Sequence, residues 1–153
     1  PNLNNSYLDI ISFIKENNLE QNVIVVNNWV SDQNLANIFS ISDIGIALED
    51  TDAFSSGILD IMKYDLIPIL SDIKTYRDYF IGGKNCLFVN QKNPVNIHKV
   101  LEKSITKINT LKTEIIPKNH IFLKTEMDNE IQMNKINEMY EQILETNSLE
   151  PNK

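Results

Sequence analysis

The chain has 153 residues, of which 42% are hydrophobic and 23% are charged, and its formal net charge is −7. This size and composition are typical of about one domain with an apolar core. The negative charge and the lack of a basic stripe argue against a nucleic-acid partner, because binding to a phosphate backbone depends on Lys and Arg. No apolar run reaches the roughly 18 to 20 residues of a membrane span and no signal-peptide pattern opens the chain, so we expect a cytoplasmic protein.

The residues that most often form crosslinks or bind metals are few. The single cysteine, Cys86, cannot form an internal disulfide, and two scattered histidines make no metal cluster. Nothing near Cys86 in the sequence would activate it as a nucleophile. We therefore predict that Cys86 is a small core side chain.

The first 40 residues predict a helix, a strand and a second helix. Ser6 to Asp9 has the pattern of a capping box, which opens a helix from Tyr7 to Asn17. The short apolar run Ile24 to Val26 predicts a strand. Ser31 and Asp32 then cap a helix whose apolar residues recur at helical spacing, namely Leu35, Ile38 and Phe39.

Residues 44–72 predict a strand, loop, helix, strand unit. The apolar runs Ile44 to Leu48 and Leu66 to Leu70 have the length of buried strands, and the helix between them spans Gly57 to Tyr64. Such a crossover makes the two strands parallel, and ligands of parallel sheets bind in the crevice at the carboxyl ends of the strands. The polar connection Glu49 to Ser56 leaves the first strand at that end, so it is the candidate binding loop.

The start of that helix carries groups that suit a ligand with both sugar and phosphate. Ser55 and Ser56 lie where the helix begins, and free amides and the helix dipole attract an anion there. Asp52 and Asp60 lie eight positions apart. Ionised carboxylates only accept hydrogen bonds, which favours hydroxyl-rich groups such as ribose or hexose. The alternative interpretation is structural, with Asp60 complementing the helix dipole and Asp52 serving as a turn residue.

The second half of the chain predicts one more strand and two helices. A polar and aromatic segment, Ser71 to Phe80, leads to a turn with two glycines and a last short strand near Leu87. Asn93-Pro94 starts a helix that reaches Ile105. Thr106 to Asn119 indicates a connector, and Ile121 to Leu144 predicts a closing helix.

The run DAFSSGILDIM, followed by a strand with proline, resembles the nucleotide-sugar motif of retaining glycosyltransferases of family 4. Two glutamates frame that motif, and Asp52 and Asp60 stand at their positions with the same spacing and one methylene less. Further matches are Phe54, Leu59, Met62, Pro68 and Ile69. The departures from the motif are Ala53, Ser55 and Asp65 in place of glycines and Gly57 in place of a proline.

Two other segments resemble the same family. Residues 22–48 resemble its strand, Gly-x-Val turn, helix and Ala-Asp-Val strand, with Asn28 at the glycine and Asp43 at the aspartate. In the family this turn lies beside the nucleobase, which makes Asn28, Trp29 and Val30 candidate base-pocket residues. The alternative is that Trp29 simply packs on a loop. The segment that ends in Leu87 resembles the family's Gly-x-Asn-Gly-x-Leu-Val, with Cys86 at the second glycine.

The resemblance implies an α/β fold with a Rossmann-like, doubly wound parallel sheet. It corresponds to the C-terminal half of a GT-B fold, truncated at its N-terminus and followed by a C-terminal helix. The predicted divisions are an incomplete donor-binding domain at 1–105, a connector at 106–119, a C-terminal helix at 120–146 and a mobile tail at 147–153. We expect a fragment, inactive alone, in which the strand at Ile24 lacks its sheet neighbours and which is marginally stable or self-associates.

The resemblance also implies a reaction. A hexosyl group would pass from a nucleotide diphosphate sugar to a hydroxyl acceptor, with retention and without a metal or other cofactor, as in polysaccharide biosynthesis. Asp52 would be catalytic, Asp60 would accept hydrogen bonds from the ribose, and the amides of Phe54 to Gly57 would stabilise the diphosphate.

The partners that the resemblance implies are a nucleotide-sugar donor and a saccharide or lipid-linked acceptor. A missing N-terminal domain would bind the acceptor and would provide any peripheral contact with a membrane. The alternative class is a noncatalytic α/β module, which either binds a phosphorylated ligand or serves as a packing and interaction domain.

Overall fold

The computed structural model describes residues 3–148 and the side chains of residues 7–144. The chain divides into two compact units, Pro1–Ile38 and Phe39–Lys153. The helices and strands of the described residues are, in chain order, α1 (Leu3–Glu16), α2 (Asp32–Ser40), β1 (Ile44–Ala47), α3 (Ser56–Lys63), β2 (Ile67–Ser71), α4 (Lys74–Tyr79), β3 (Leu87–Val89), α5 (Pro94–Thr106), α6 (Ile108–Glu126) and α7 (Asn129–Ser148).

The first unit contains α1 and an irregular segment that was predicted to be a strand. Helix α1 begins at Leu3, so Ser6 lies inside the helix and the prediction that a capping box starts it there is wrong. The helix ends in a turn at Asn18, whose φ is 54°. The prediction of a strand at Ile24 to Val26 is also wrong: no strand forms there, and the Ile24 side chain is 91% exposed. An apolar run becomes a strand only where a neighbouring strand satisfies its backbone groups.

The sheet lies in the second unit and is parallel, as predicted. Its order is β1-β2-β3, with Ile44 paired with Ile67 and Ile69 paired with Leu87. A monotonic order of this kind is that of one half of a doubly wound sheet. The carboxyl ends of the three strands therefore lie along one edge, and the loops that follow the strands begin there.

The core forms around β2 and α3. All five residues of β2 are buried, as expected for the central strand of a parallel sheet covered on both faces. Helix α3 turns its apolar stripe to the sheet, where Ile58, Ile61 and Met62 are buried. Gly45 of β1 lies directly under Ile61, and this position leaves no space for a side chain. The strand, loop, helix, strand unit predicted from the sequence is confirmed.

Two helices of the second unit, α4 and α6, lie in segments for which the sequence did not predict them. Helix α4 lies within the polar and aromatic segment Ser71 to Phe80, and it is too short for apolar periodicity to reveal it. Helix α6 occupies the predicted connector, and Pro117 lies inside it. Proline usually ends or kinks a helix, but the packing of Ile115 and Asn119, both fully buried, holds this one in place.

The predicted closing helix is divided in two. Helix α6 ends at Glu126, and Asp128 starts α7 by accepting hydrogen bonds from the N–H groups of Glu130 and Ile131 at 3.0 and 3.2 Å. An aspartate in this position is a common N-cap, so the sequence contained the signal. Of the predicted tail, residues 147 and 148 are helical and the rest lies outside the described residues.

A pair of buried amides joins α6 to the turn before β3. Asn85 and Asn119 are 6% and 1% exposed. The Asn119 side chain donates to the Asn85 carbonyl at 2.9 Å, and the Asn85 side chain donates to Asn119 Oδ1 at 3.3 Å. Because buried amides are costly unless they are paired, these bonds fix the position of α6 beside the sheet.

Candidate functional site

The loop between β1 and α3 is the most acidic connection at the carboxyl edge of the sheet. We call residues 48–55 the acidic loop, and it contains Glu49, Asp50 and Asp52. Asp50 lies 3.8 Å from Lys92 in an exposed ion pair and accepts a hydrogen bond from Gln91 at 3.3 Å. Glu49 and Asp52 instead turn towards the second strand and the helix that follows it.

Tyr76 of α4 joins these two carboxylates. Its side chain is fully buried, and its hydroxyl lies 2.7 Å from Asp52 Oδ2 and 3.0 Å from Glu49 Oε2. The ring packs in the core cluster that also contains Ala47 and Leu70. One buried hydroxyl at the carboxyl edge therefore contacts two of the three acids of the loop.

The backbone of the acidic loop turns sharply after Asp52. The N–H of Phe54 donates back to Asp52 Oδ1 at 3.3 Å, and the φ of Phe54 is 155°, a value that residues other than glycine seldom adopt. The Phe54 ring lies 4.7 Å from that of Tyr79 and 5.7 Å from that of Phe80. Aromatic packing thus holds the loop in this unusual conformation.

Helix α3 begins with a serine cap. Ser55 Oγ accepts a hydrogen bond from the Gly57 N–H at 3.3 Å, and the Ser55 carbonyl accepts one from the Ile58 N–H at 3.1 Å. Of the amides predicted to bind a diphosphate, those of Phe54 and Gly57 are thus bonded within the chain. Ser56 N–H has no acceptor among the described residues.

The other predicted site residues divide between the two units. Asp60 lies one turn into α3 and is half-buried, and no side chain among the described residues bonds its carboxylate. Asn28, Trp29 and Val30 belong to the first unit. Trp29 is 85% exposed, so it does not pack against a loop among the described residues, and that alternative is wrong. Asn28 is exposed and its φ is not positive.

Several side chains near the sheet edge have shifted pKa values. The hydrogen bond from Tyr76 lowers the pKa of Asp52, and burial raises the pKa of Tyr76. Arg77 bonds Asp72 through two nitrogens, one of them at 2.7 Å, and so lowers the pKa of that carboxyl. Burial raises the pKa of the Cys86 thiol to about 12, and its side chain is fully buried, as predicted for a core residue.

These shifts predict how stability depends on acid. Asp52 and Asp72 have folded pKa values below those of the unfolded chain, so their contributions are complete above the unfolded values and are lost as pH falls through the folded ones. We expect the free energy of unfolding, measured in urea, to fall below about pH 5. Asp72→Asn should show a smaller fall, and an unchanged fall in that variant would contradict the effect of Arg77.

A groove of about 850 Å³ opens beside the acidic loop. Phe54 lines it together with Tyr79 and Phe122, and Lys84 and Lys118 contribute ammonium groups. Neither lysine has an ion-pair partner within the described residues. The groove therefore combines aromatic rings and two lysines, and it meets the acidic loop at Phe54; Asp78 and Glu126 also line it.

Two residues of this site were missed by sequence reasoning, Glu49 and Tyr76. Glu49 follows β1 and Tyr76 follows β2, and neighbouring parallel strands bring such positions together. That rule was the available signal, but the segment of Tyr76 had no predicted element to place it.

The structure and the sequence were compared with those of known proteins. The sucrose-phosphate synthase from Thermosynechococcus elongatus is one of 23 solved chains that match, with a TM-score of 0.76 and 14% sequence identity. The match covers 90% of this chain and 34% of that one, so the chain spans about a third of that structure's length. A search of curated protein sequences found no match. The chain therefore has an α/β structure with part of the GT-B fold.

Residues 6–120 match the family model of glycosyl transferases group 1. The chain belongs to that family, and the matched segment includes both the acidic loop and α3. Between residues 3 and 148, no helix is long and apolar enough to cross a membrane.

Proposed function

We propose that this chain is the donor-binding part of a glycosyltransferase, which transfers a sugar from a nucleotide diphosphate sugar to a hydroxyl acceptor with retention. The observation that carries the proposal is the family match over residues 6–120. The position of the acidic loop supports it, because ligands of open parallel sheets bind outside the carboxyl ends of the strands. The proposed donor is thus bound at the edge where β1 meets α3.

The two aspartates have separate roles in this proposal. Asp60 accepts hydrogen bonds from the ribose hydroxyls, since its carboxylate has no partner among the described side chains. Asp52 is the catalytic residue and faces the donor sugar, where a carboxylate stabilises positive charge that develops as the glycosidic bond breaks. The lowered pKa of Asp52 keeps it ionised at neutral pH.

The diphosphate needs donors and positive charge. The start of α3 supplies the free N–H of Ser56 and the positive end of the helix dipole. Lys84 and Lys118 in the groove that Phe54 lines are the candidate cations, because Arg77 is engaged with Asp72 and Lys92 with Asp50. In this proposal the leaving diphosphate is stabilised without a metal ion.

The remaining parts of the proposal concern the whole protein. The transferred group is a hexose, the acceptor is a saccharide or a lipid-linked hydroxyl compound, and the product contributes to a polysaccharide. Asn28, Trp29 and Val30 are the proposed base-pocket residues, and Trp29 is 85% exposed. An acceptor domain outside this sequence completes the active site, in the cytoplasm or at the surface of a membrane.

One observation favours the noncatalytic alternative. The amides of Phe54 and Gly57 and the Asp52 carboxylate all have hydrogen-bond partners within the chain. A loop whose donors and acceptors bond one another can serve packing as well as binding. Nucleotide binding distinguishes a donor site from a packing domain.

Substitution of Asp60 tests the proposed donor site. In the intact protein, Asp60→Ala should weaken the binding of a nucleoside diphosphate by about 1 to 3 kcal/mol, because the ribose hydroxyls lose a charged acceptor. Asp60→Glu should bind more tightly than the alanine variant, since it keeps the carboxylate. Isothermal titration calorimetry with UDP and with GDP measures both effects.

The control for this experiment is Glu102→Ala, which removes an exposed carboxylate from α5. It should leave the affinity within about twofold, because a screened surface charge has little effect. Equal affinity of the Asp60→Ala variant and the unsubstituted protein would remove Asp60 from the site. If neither nucleotide binds to the unsubstituted protein, the noncatalytic module becomes the better account.

A further inference from the structure

The hydroxyl of Tyr76 carries one proton but lies against two carboxylates. Its oxygen is 2.7 Å from Asp52 Oδ2 and 3.0 Å from Glu49 Oε2. A phenol donates one hydrogen bond, and ionised carboxylates can only accept. The proton therefore serves one of the two acids at a time, and the shorter contact assigns it to Asp52.

The ring of Tyr76 is fixed more firmly than either acid. It is fully buried in the core cluster, whereas Asp52 is part-buried on the acidic loop. The Tyr76 carbonyl also accepts a hydrogen bond from the Phe80 N–H at 2.8 Å, which closes the end of α4. A rigid donor that meets a carboxylate on a loop sets the direction of that carboxylate.

We propose that Tyr76 is a positioning residue, which fixes the Asp52 carboxylate for contact with the donor sugar, while Glu49 competes for the same hydroxyl proton. This role rests on the proposed function of Asp52. One Asp52 oxygen is bound by Tyr76 and the other by the Phe54 N–H, so the carboxylate plane is set from two sides. Each oxygen keeps further lone pairs for a ligand hydroxyl.

The single proton of Tyr76 predicts that an uncharged donor is tolerated at position 49. A glutamine at position 49 can donate its own N–H to the Tyr76 oxygen, so the phenol O–H remains donated to Asp52 alone. Glu49→Gln should therefore keep or raise the midpoint of thermal unfolding. If Glu49 were instead the main acceptor of the Tyr76 proton, Glu49→Gln would weaken that hydrogen bond and lower the midpoint.

The test combines Tyr76→Phe with Asp52→Asn in a double-mutant cycle on the intact protein. UDP-glucose and GDP-mannose serve as probes in calorimetry, and thermal unfolding is measured for every variant. Tyr76→Phe should weaken binding of the accepted probe about tenfold in the original background, and less than twofold in the Asp52→Asn background. The loss of the effect in the second background shows that Tyr76 acts through Asp52.

Tyr64→Phe is the matched control, because Tyr64 is half-buried and its hydroxyl has no hydrogen-bond partner within the described residues. It should leave binding within twofold.

Equal losses from Tyr76→Phe in the two backgrounds would overturn the positioning role, as would a lower unfolding midpoint in Glu49→Gln. If the unsubstituted protein binds neither probe, the proposed function fails and the positioning role falls with it. Unfolding midpoints that show no coupling between Tyr76 and Asp52 would reject the shared proton separately.

Discussion

Phe80→Ala is expected to lower the free energy of unfolding by about 3 to 5 kcal/mol, the range for truncating a buried phenylalanine. Phe80 is 2% exposed, and its ring lies 5.7 Å from that of Phe54 and 5.3 Å from that of Phe122. It therefore joins the acidic loop to α6. Removing the ring leaves a cavity between a strained loop and the helix that supports it.

Urea unfolding followed by circular dichroism measures this loss. Phe13→Ala is the matched control, because Phe13 is 60% exposed on α1 and the same truncation there creates no cavity. It should change stability by less than about 1 kcal/mol. Similar losses in the two variants would contradict the position of Phe80 in the core.

Gly45→Ala should destabilise the protein by about 1 to 3 kcal/mol, because overpacking forces a shift in a tightly packed core. A Cβ at Gly45 would lie within 2.7 Å of Ile61 Cδ1 and Cγ2, closer than real carbon contacts. These atoms belong to a branched side chain that is 6% exposed, so they have little space to move. The clash lies where α3 crosses β1, next to the acidic loop.

A second substitution makes the prediction specific. Ile61→Ala alone should also destabilise by loss of contacts, but combining it with Gly45→Ala should cost less than the two losses added together. Gly57→Ala is the control, since its Cβ would meet only Ser55 Oγ, at 3.3 Å. Chemical unfolding of the four variants gives the coupling, and strict additivity would contradict the contact between Gly45 and Ile61.

The sheet and its first crossover could be predicted because their sequence signals are local. Ile44 to Ala47 and Ile67 to Leu70 are uninterrupted apolar runs, and β-branched residues in such runs are typical of buried parallel strands. Ser55 marks the start of α3 by its capping hydroxyl. In each case the residues that define the element lie within it.

Other elements depend on contacts that no local pattern contains. Ile24 to Val26 has the composition of a strand but lacks the neighbour that would make it one. Helix α6 occupies the predicted connector and contains Pro117, a residue that usually ends or kinks a helix. Buried contacts of Ile115 and Asn119 decide the outcome there.

The candidate site shows the same division. Asp52 and Asp60 were found because they stand at the two ends of a sequence motif. Asp52 lies on the loop and Asp60 on the helix that the motif predicts. Tyr76 and Glu49 were missed because their meeting depends on the strand order of the sheet and on α4. Charge and spacing can identify candidate carboxylates, but only the fold shows which buried hydroxyl donates a hydrogen bond to them.

The proposed function requires a nucleotide sugar to bind at the acidic loop and the start of α3. The most direct measurement is an NMR titration of the isotopically labelled intact protein with UDP-glucose and GDP-mannose. We expect one of them to shift the amide signals of residues 52–60, with the Ser56 amide among the most affected because its N–H has no acceptor among the described residues. Saturable binding that leaves the signals of residues 52–60 unchanged would contradict it.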